Sequence, residues 1–171
     1  MIGTSDRLIG PSLLVLVFIF ATDKLLLMKR GQPPYEGKWA PPGGFVEAGE
    51  SLEAAAVREV EEEVGIKLLQ EQLLPQGMGS IPALNQIYVS FVAPLEQAVT
   101  PAPMLPEALD AQWFSEADYT RLNMWDPAIG FNMGQIYTNV RNRRFEFYQH
   151  IDKRLRIITS EHAIKYVWRN L

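Results

Sequence analysis

The sequence predicts one mixed α/β (α+β) domain, and three observations carry that expectation. Two apolar runs at 13–20 and 24–28, separated by Ala21-Thr22-Asp23, read as a buried β-hairpin. Residues 51–64 read as a single helix with a stop signal at Gly65. Residues 86–92, Gln-Ile-Tyr-Val-Ser-Phe-Val, have the aromatic and β-branched content of a further strand inside the segment 81–93. The chain has 171 residues, of which 47% are hydrophobic, enough for one real core. Charged residues make up 21%, close to the average of folded proteins, which argues against general disorder.

The elements follow in chain order. The most apolar run, 13–21, is far shorter than the ~20 residues a membrane-spanning helix needs. No small-x-small cleavage site follows it, because the chain continues straight into Thr22-Asp23-Lys24 and a second apolar run. A buried strand is therefore expected, no membrane partner, and a cytoplasmic protein. Residues 31–44 carry Pro33, Pro34, Pro41, Pro42 and several glycines, so a loop is expected there. Ser51 suits the N-cap of the helix, and Gly65 the left-handed position that ends it. Residues 100–106 hold three prolines and read as an irregular loop, and 111–114 as a short strand. Asp126-Pro127 opens a second helix, with Ile129, Met133, Ile136 and Val140 at helical spacing. Residues 144–150 and 154–159 read as a second hairpin around Ile151-Asp152-Lys153, and Ser160 as the cap of a short last helix ending near Asn170.

There is no cysteine, so disulfides and thiolate metal sites are excluded. The net charge of −4 hides an asymmetry. Residues 1–138 hold eight basic and seventeen acidic side chains; residues 139–171 hold eight basic and three acidic ones. The expected organisation is a domain over 1–140 and a basic extension over 141–171, packed on the domain or at the interface of a homodimer. Arg141, Arg143, Arg144, Arg154 and Arg156 are interleaved with Phe145, Phe147 and Tyr148. RNA could bind such a surface. Aromatic residues alternating with charge are also what a half-buried strand needs, and that reading leaves nucleic acid out of the partners.

The helix carries the chemistry. At 100° per residue, Val57, Val60 and Val64 form one apolar stripe, while Glu59, Glu62 and Glu63 gather on the opposite side. Spacings of three and four residues bring these carboxylates together, and Arg58 lies four residues before Glu62. Clustered oxygen ligands suit a hard cation, Mg²⁺ or Mn²⁺. Alone, such a run is most often a solvated acidic face. The upstream residues argue otherwise. Pro41-Pro42-Gly43-Gly44 forces a turn and lets backbone approach a ligand closely; Glu50 follows Gly44 by six residues, and Arg58 follows Glu50 by eight.

These residues resemble the Nudix family. Its box reads Gly-x5-Glu-x7-Arg-Glu-U-x-Glu-Glu-x-Gly-U, with U a bulky aliphatic residue. Here Gly44, Glu50, Arg58, Glu59, Val60, Glu62, Glu63, Gly65 and Ile66 match every constrained position. At average residue frequencies a chance match has odds on the order of 10⁻⁷. Gly37-Lys38-Trp39, the preceding hairpin and the strand at Trp113-Phe114 extend the resemblance over roughly 10–140.

The resemblance implies an α/β/α sandwich with a mixed central sheet and an enzyme that hydrolyses nucleoside diphosphates linked to another group. It implies Glu59, Glu62 and Glu63 as metal ligands, with the Gly43 carbonyl a further one. Glu50 and Arg58 would orient the helix and its ligands, and Gly44 and Gly65 shape the motif. The general base would come from the box or from a later loop, where Glu107 and Asp110 are candidates. Pro82, sixteen residues past Ile66, resembles a marker of the ADP-ribose pyrophosphatase branch. The Pro-Trp-Pro-rich segment of the NADH-type branch is absent, as is a coenzyme A pattern. Arg30 and Lys29 are candidates for substrate phosphate, and Tyr35, Trp39, Tyr88 and Phe91 for stacking on a base. The substrate is then a small nucleotide, ADP-ribose or a similar nucleotide sugar. The alternatives are a pyrophosphohydrolase of (oxidised) nucleoside triphosphates and a non-catalytic Nudix-fold sensor, the latter disfavoured by the intact box.

Overall fold

The computed structural model describes residues 10–119, 121–125, 138, 147–151 and 154–158. Its centre is β1 (Ser12–Ala21), which pairs in parallel with β5 (Gln86–Leu95) along its whole length, from Ser12↔Gln86 to Ala21↔Leu95. A strand flanked on both faces must be apolar on both, and β1 is. Val15, Val17 and Ile19 face one layer, and Phe18 and Phe20 the other.

The first hairpin forms only at its tip. β2 (Lys24–Arg30) meets β1 at Phe20↔Leu25 and Ala21↔Lys24, and the strands then part. β2 pairs instead with β6 (Ala108–Ser115) and with the short β3 (Trp39–Ala40). The edge of β1 that β2 leaves is taken by the segment after β3. Val17 N–H donates to Pro42 O, Val15 N–H to Gly44 O and Val46 N–H to Leu13 O, at 2.9 to 3.0 Å. The expected loop across 31–44 is present apart from β3, and its last residues carry this backbone pairing at Pro42 and Gly44. Buried backbone must be paired, and Pro42, having no N–H, only needs to accept.

β4 (Leu74–Ile81) was not expected, since Pro75, Gly77 and Gly79 hide its strand character. It pairs antiparallel with β5 through a bulge between Pro75 and Gly77. A 3-10 turn, Pro82–Leu84, and Asn85 at φ 51° make the connection. The second hairpin forms near where it was expected, as β7 (Phe147–Ile151) and β8 (Arg154–Ile158). β7 adds in parallel to β4, so the hairpin continues the same mixed sheet, in the order β3-β2-β1-β5-β4-β7-β8 with β6 on β2.

The helix α1 (Leu52–Val64) covers the face carrying Val15, Val17 and Ile19. The other face is covered, among the described residues, by Trp39 of β3, Phe114 of β6, Tyr119 of the short α2 (Glu116–Tyr119), and Leu122 and Met124 of the turn after it. The expected mixed class and mixed central sheet are thus present. Of the helix expected from Asp126 only Thr138 is described, and it is helical; the helix expected after Ser160 lies outside the described residues, as do the side chains of the five tail arginines. No helix among the described residues is long and apolar enough to cross a membrane.

Candidate active site

The α1 ends form as their residues dictate. Ser51 Oγ accepts from Ala54 N–H at 3.1 Å, and Gly65 adopts φ 67° while its N–H closes on Glu61 O at 3.0 Å. The buried side of the helix is wider than the expected valine stripe. Ala55 and Ala56 lie at the sheet with Val60 and Val64, Val57 is only partly buried, and Glu59 and Glu63 are buried too. Glu62 remains at the surface.

What buries the two glutamates is the segment laid along β1. Gly43 N–H donates to Glu63 Oε2 at 2.7 Å. Gly44 lies so close to Glu59 that a methyl group in its place would come within 2.5 Å of Glu59 Oε1. Arg58 gathers the other charges. Its guanidinium reaches Glu50 at 2.7 Å, Glu59 at 2.9 Å, Glu62 at 3.0 Å and the Phe45 carbonyl at 3.0 Å. Glu50 also receives Glu47 N–H at 2.6 Å, which ties the connecting turn to the helix.

The electrostatics show a site short of positive charge. The Arg58 hydrogen bonds hold the Glu50 carboxyl below its ordinary range. Burial pushes Glu59 upward despite Arg58, with Glu62 and Glu107 adding repulsion. Burial pushes Glu63 up to about 8, against the opposing Gly43 N–H, and again Glu59 and Glu107 repel it. Among the described residues no three carboxylates converge closely enough to enclose an ion as they stand, and Arg58 bridges Glu59 and Glu62. The donor set nonetheless fits a divalent cation. It offers oxygen ligands only, two of them buried and destabilised as anions, with one arginine among four neighbouring carboxylates.

A cleft of about 510 Å³ opens over this wall. It is lined by Gly43, Gly44, Arg58, Glu59, Glu62 and Glu63, and Glu107 and Arg30 also reach it. The Glu107 backbone is fastened by Gly31 N–H at 2.8 Å. Asp110, the other candidate base, does not line it; its carboxylate is taken by Ala111 N–H at 2.8 Å and Gln112 Nε2 at 2.7 Å.

Of the expected substrate contacts, Arg30 and Tyr35 line the cleft; Trp39, Tyr88, Phe91 and Pro82 do not. Trp39 packs edge-on against Phe114, with ring centroids 4.8 Å apart. Tyr88 is 1% exposed and packs with Leu14 and Leu16. Phe91 is equally buried in the layer beneath α1. Pro82 opens a turn whose last residue, Leu84, reaches the cleft instead, with Gln86 at the start of β5. Residues with no sequence signal also line it: Phe45, Gln32 and Trp125. Trp125 arrives through a tertiary contact, its N–H donating to Trp39 O at 2.7 Å.

The family profile described as NUDIX domain matches residues 11–133. An ADP-ribose pyrophosphatase of Methanocaldococcus jannaschii is 48% identical over 56 residues, 33% of each chain. The NAD-capped RNA hydrolase NudC of Pseudomonas aeruginosa is 35% identical over 107 residues, 63% of this chain and 36% of the relative. The chain thus spans about a third of the length of these curated relatives. The crystal structure of a NUDIX hydrolase from Nitrosomonas europaea superposes with a TM-score of 0.67 at 25% identity, covering 82% of this chain and 77% of that one.

Proposed function

Because the chain belongs to the Nudix family, we propose that it is a Mg²⁺-dependent pyrophosphohydrolase of ADP-ribose or a similar nucleotide sugar. The observation that carries this is the complete box, folded so that Glu59, Glu62 and Glu63 line one cleft with Glu107 and Arg30. Glu59, Glu62 and Glu63 would hold the metal, with Mn²⁺ a substitute for Mg²⁺. The Gly43 carbonyl would be the backbone ligand; the flanking Pro42 and Gly44 carbonyls already accept from Val17 and Val15. When bound, the metal neutralises the phosphates and acidifies a water. Arg58 and Glu50 orient the ligands. Arg30 contacts a phosphate. Glu107 accepts the proton of the attacking water, whose oxygen bonds to phosphorus as the bridging P–O bond breaks. The products are AMP and ribose 5-phosphate.

The substrate assignment is supported by the name of the Methanocaldococcus relative. The NudC relative favours a second reading, the pyrophosphate of an NAD-type dinucleotide; both carry a 5′-linked adenosine diphosphate. A panel of ADP-ribose, NADH, dinucleoside polyphosphates and oxidised dNTPs with Mg²⁺ decides between them. Release of AMP from ADP-ribose, blocked by a chelator, is the expected result. Preferential cleavage of NADH favours the second reading, and pyrophosphate released from a triphosphate refutes both.

A further inference from the structure

Of two aromatic rings in the cleft, Tyr35 packs in no core cluster of the described residues, while Trp125 also packs against the Leu14, Leu16 and Tyr88 cluster. Tyr35 and Trp125 both line it, with centroids 6.1 Å apart and planes at 74°. Both rings are only partly buried. Tyr35 sits at φ 71°, a left-handed conformation uncommon for a bulky residue. Its turn is held from both ends: Arg30 N–H donates to Lys38 O at 2.9 Å, Gly37 N–H to Arg30 O at 2.7 Å, and Lys38 N–H to Tyr35 O at 3.2 Å. Lys38 Nζ stands 5.5 Å over the Tyr35 ring, and Trp125 is anchored on Trp39.

Arg30 joins this corner to the carboxylates. Its Nε donates to Pro34 O at 3.2 Å, next to Tyr35, while its charge acts on Glu63. Nε is therefore occupied by the turn, and the rest of the guanidinium fork remains for an anion. Rings held perpendicular form a corner: a flat base stacked on one offers its edge to the other. Gln32 and Gln86 line the same cleft, and their amides can both donate and accept.

We propose that Tyr35 and Trp125 form the nucleobase subsite, with Arg30 receiving the adjoining 5′-phosphate. The inference rests on the reading of the cleft as a nucleotide site. A base held equally in the ground and transition states contributes uniform binding, which lowers KM without raising kcat. Stacking tolerates different bases, since each has a π face.

The test is calorimetric binding of AMP and of ribose 5-phosphate to the intact protein, with ADP-ribose turnover measured on the same preparations. Tyr35→Ala and Trp125→Ala are expected to raise the Kd for AMP by ~5- to 100-fold, the range of one lost stacking contact. Both leave ribose 5-phosphate binding unchanged, and Tyr35→Phe retains AMP. In turnover the alanine variants raise KM with kcat within two- to three-fold, roughly, as for a group remote from the reacting bond. Should Trp125→Ala lower the melting temperature, Tyr35→Ala on its surface turn decides alone. Wild-type AMP affinity in Tyr35→Ala, equal loss of both ligands, or no AMP binding by the wild type overturns the subsite. AMP binding that needs Tyr35, without ADP-ribose turnover, refutes the substrate assignment and keeps the subsite.

Discussion

A methyl group added at Gly44 separates the chemistry of the site from the stability of the fold, and Gly43 beside it supplies the contrast. A Cβ at residue 44 meets the Glu59 carboxylate, with Oε1 at 2.5 Å. Ordinary contact is about 3.5 Å, so the overlap is about 1 Å. The obstructing atoms are the end of a flexible side chain, which rotates away at small cost. Gly44→Ala is then expected to melt within about 4 °C of the wild type, the shift of ~1 kcal/mol in a chain of this size. The displaced group, Glu59, is one of the proposed metal ligands, and a misplacement of about 1 Å at a catalytic group costs ~100-fold in turnover.

At Gly43 the obstruction is backbone. A Cβ there runs into the Val15 carbonyl oxygen and sits 2.9 Å from Leu16 Cα, at a φ of 149° that side chains rarely adopt. β1 cannot give way, being paired with β5 at ten positions. Overpacking of ~1–3 kcal/mol and a conformational cost of ~1 kcal/mol place Gly43→Ala about 2–4 kcal/mol below the wild type. That corresponds to a melting temperature lower by roughly 4–16 °C. Thermal melts by circular dichroism and Mg²⁺-dependent AMP release measure the two effects separately. Equal thermal losses in both variants, or wild-type turnover in Gly44→Ala, refute the reasoning.

Glu62→Gln and Glu63→Gln are expected to abolish metal-dependent turnover while circular dichroism stays native; wild-type rates in both variants would remove the metal assignment. Glu107→Gln is expected to slow turnover by ~10²- to 10⁴-fold, the usual share of a general base, and Asp110→Asn to leave it nearly unchanged. A reversal of that order moves the base to Asp110. With its carboxyl pushed from 4.5 up to about 8, Glu63 makes the metal-free native state bind more protons than the unfolded chain between those values. Its stabilising contribution is therefore complete below pH 4.5 and lost as pH rises through 8, by at most ~4–5 kcal/mol. Urea unfolding in a chelator at pH 5 and pH 8.5, compared with Glu63→Gln, checks the sign; a larger stability at pH 8.5 in the wild type alone contradicts it.

How much of this was legible in the sequence follows from the range of the forces involved. Local rules reached the helix and its caps, since Ser51 and Gly65 act within a few residues of themselves. They reached β1 and β5, whose apolar runs state their burial. The spacing of Gly44, Glu50, Arg58 and Glu59–Glu63 identified the family and, through it, the chemistry to look for. β4 escaped because its glycines serve a neighbour: the Tyr88 ring lies where a Gly79 side chain would be, its Cε1 only 2.9 Å from that position. The parting of β1 and β2 escaped as well, because hydrogen bonds from Val15 and Val17 to a segment some 25 residues away have no local signature. The sequence by itself thus determined which groups hold charge and how they are spaced along one helix. Only the tertiary structure decided that Glu59 and Glu63 lie buried under Gly43 and Gly44, that Glu107 shares their cleft while Asp110 does not, and that Trp125 stands beside Tyr35. Burial and long-range pairing are properties of the packed chain, and these set the electrostatics and shape of the cleft.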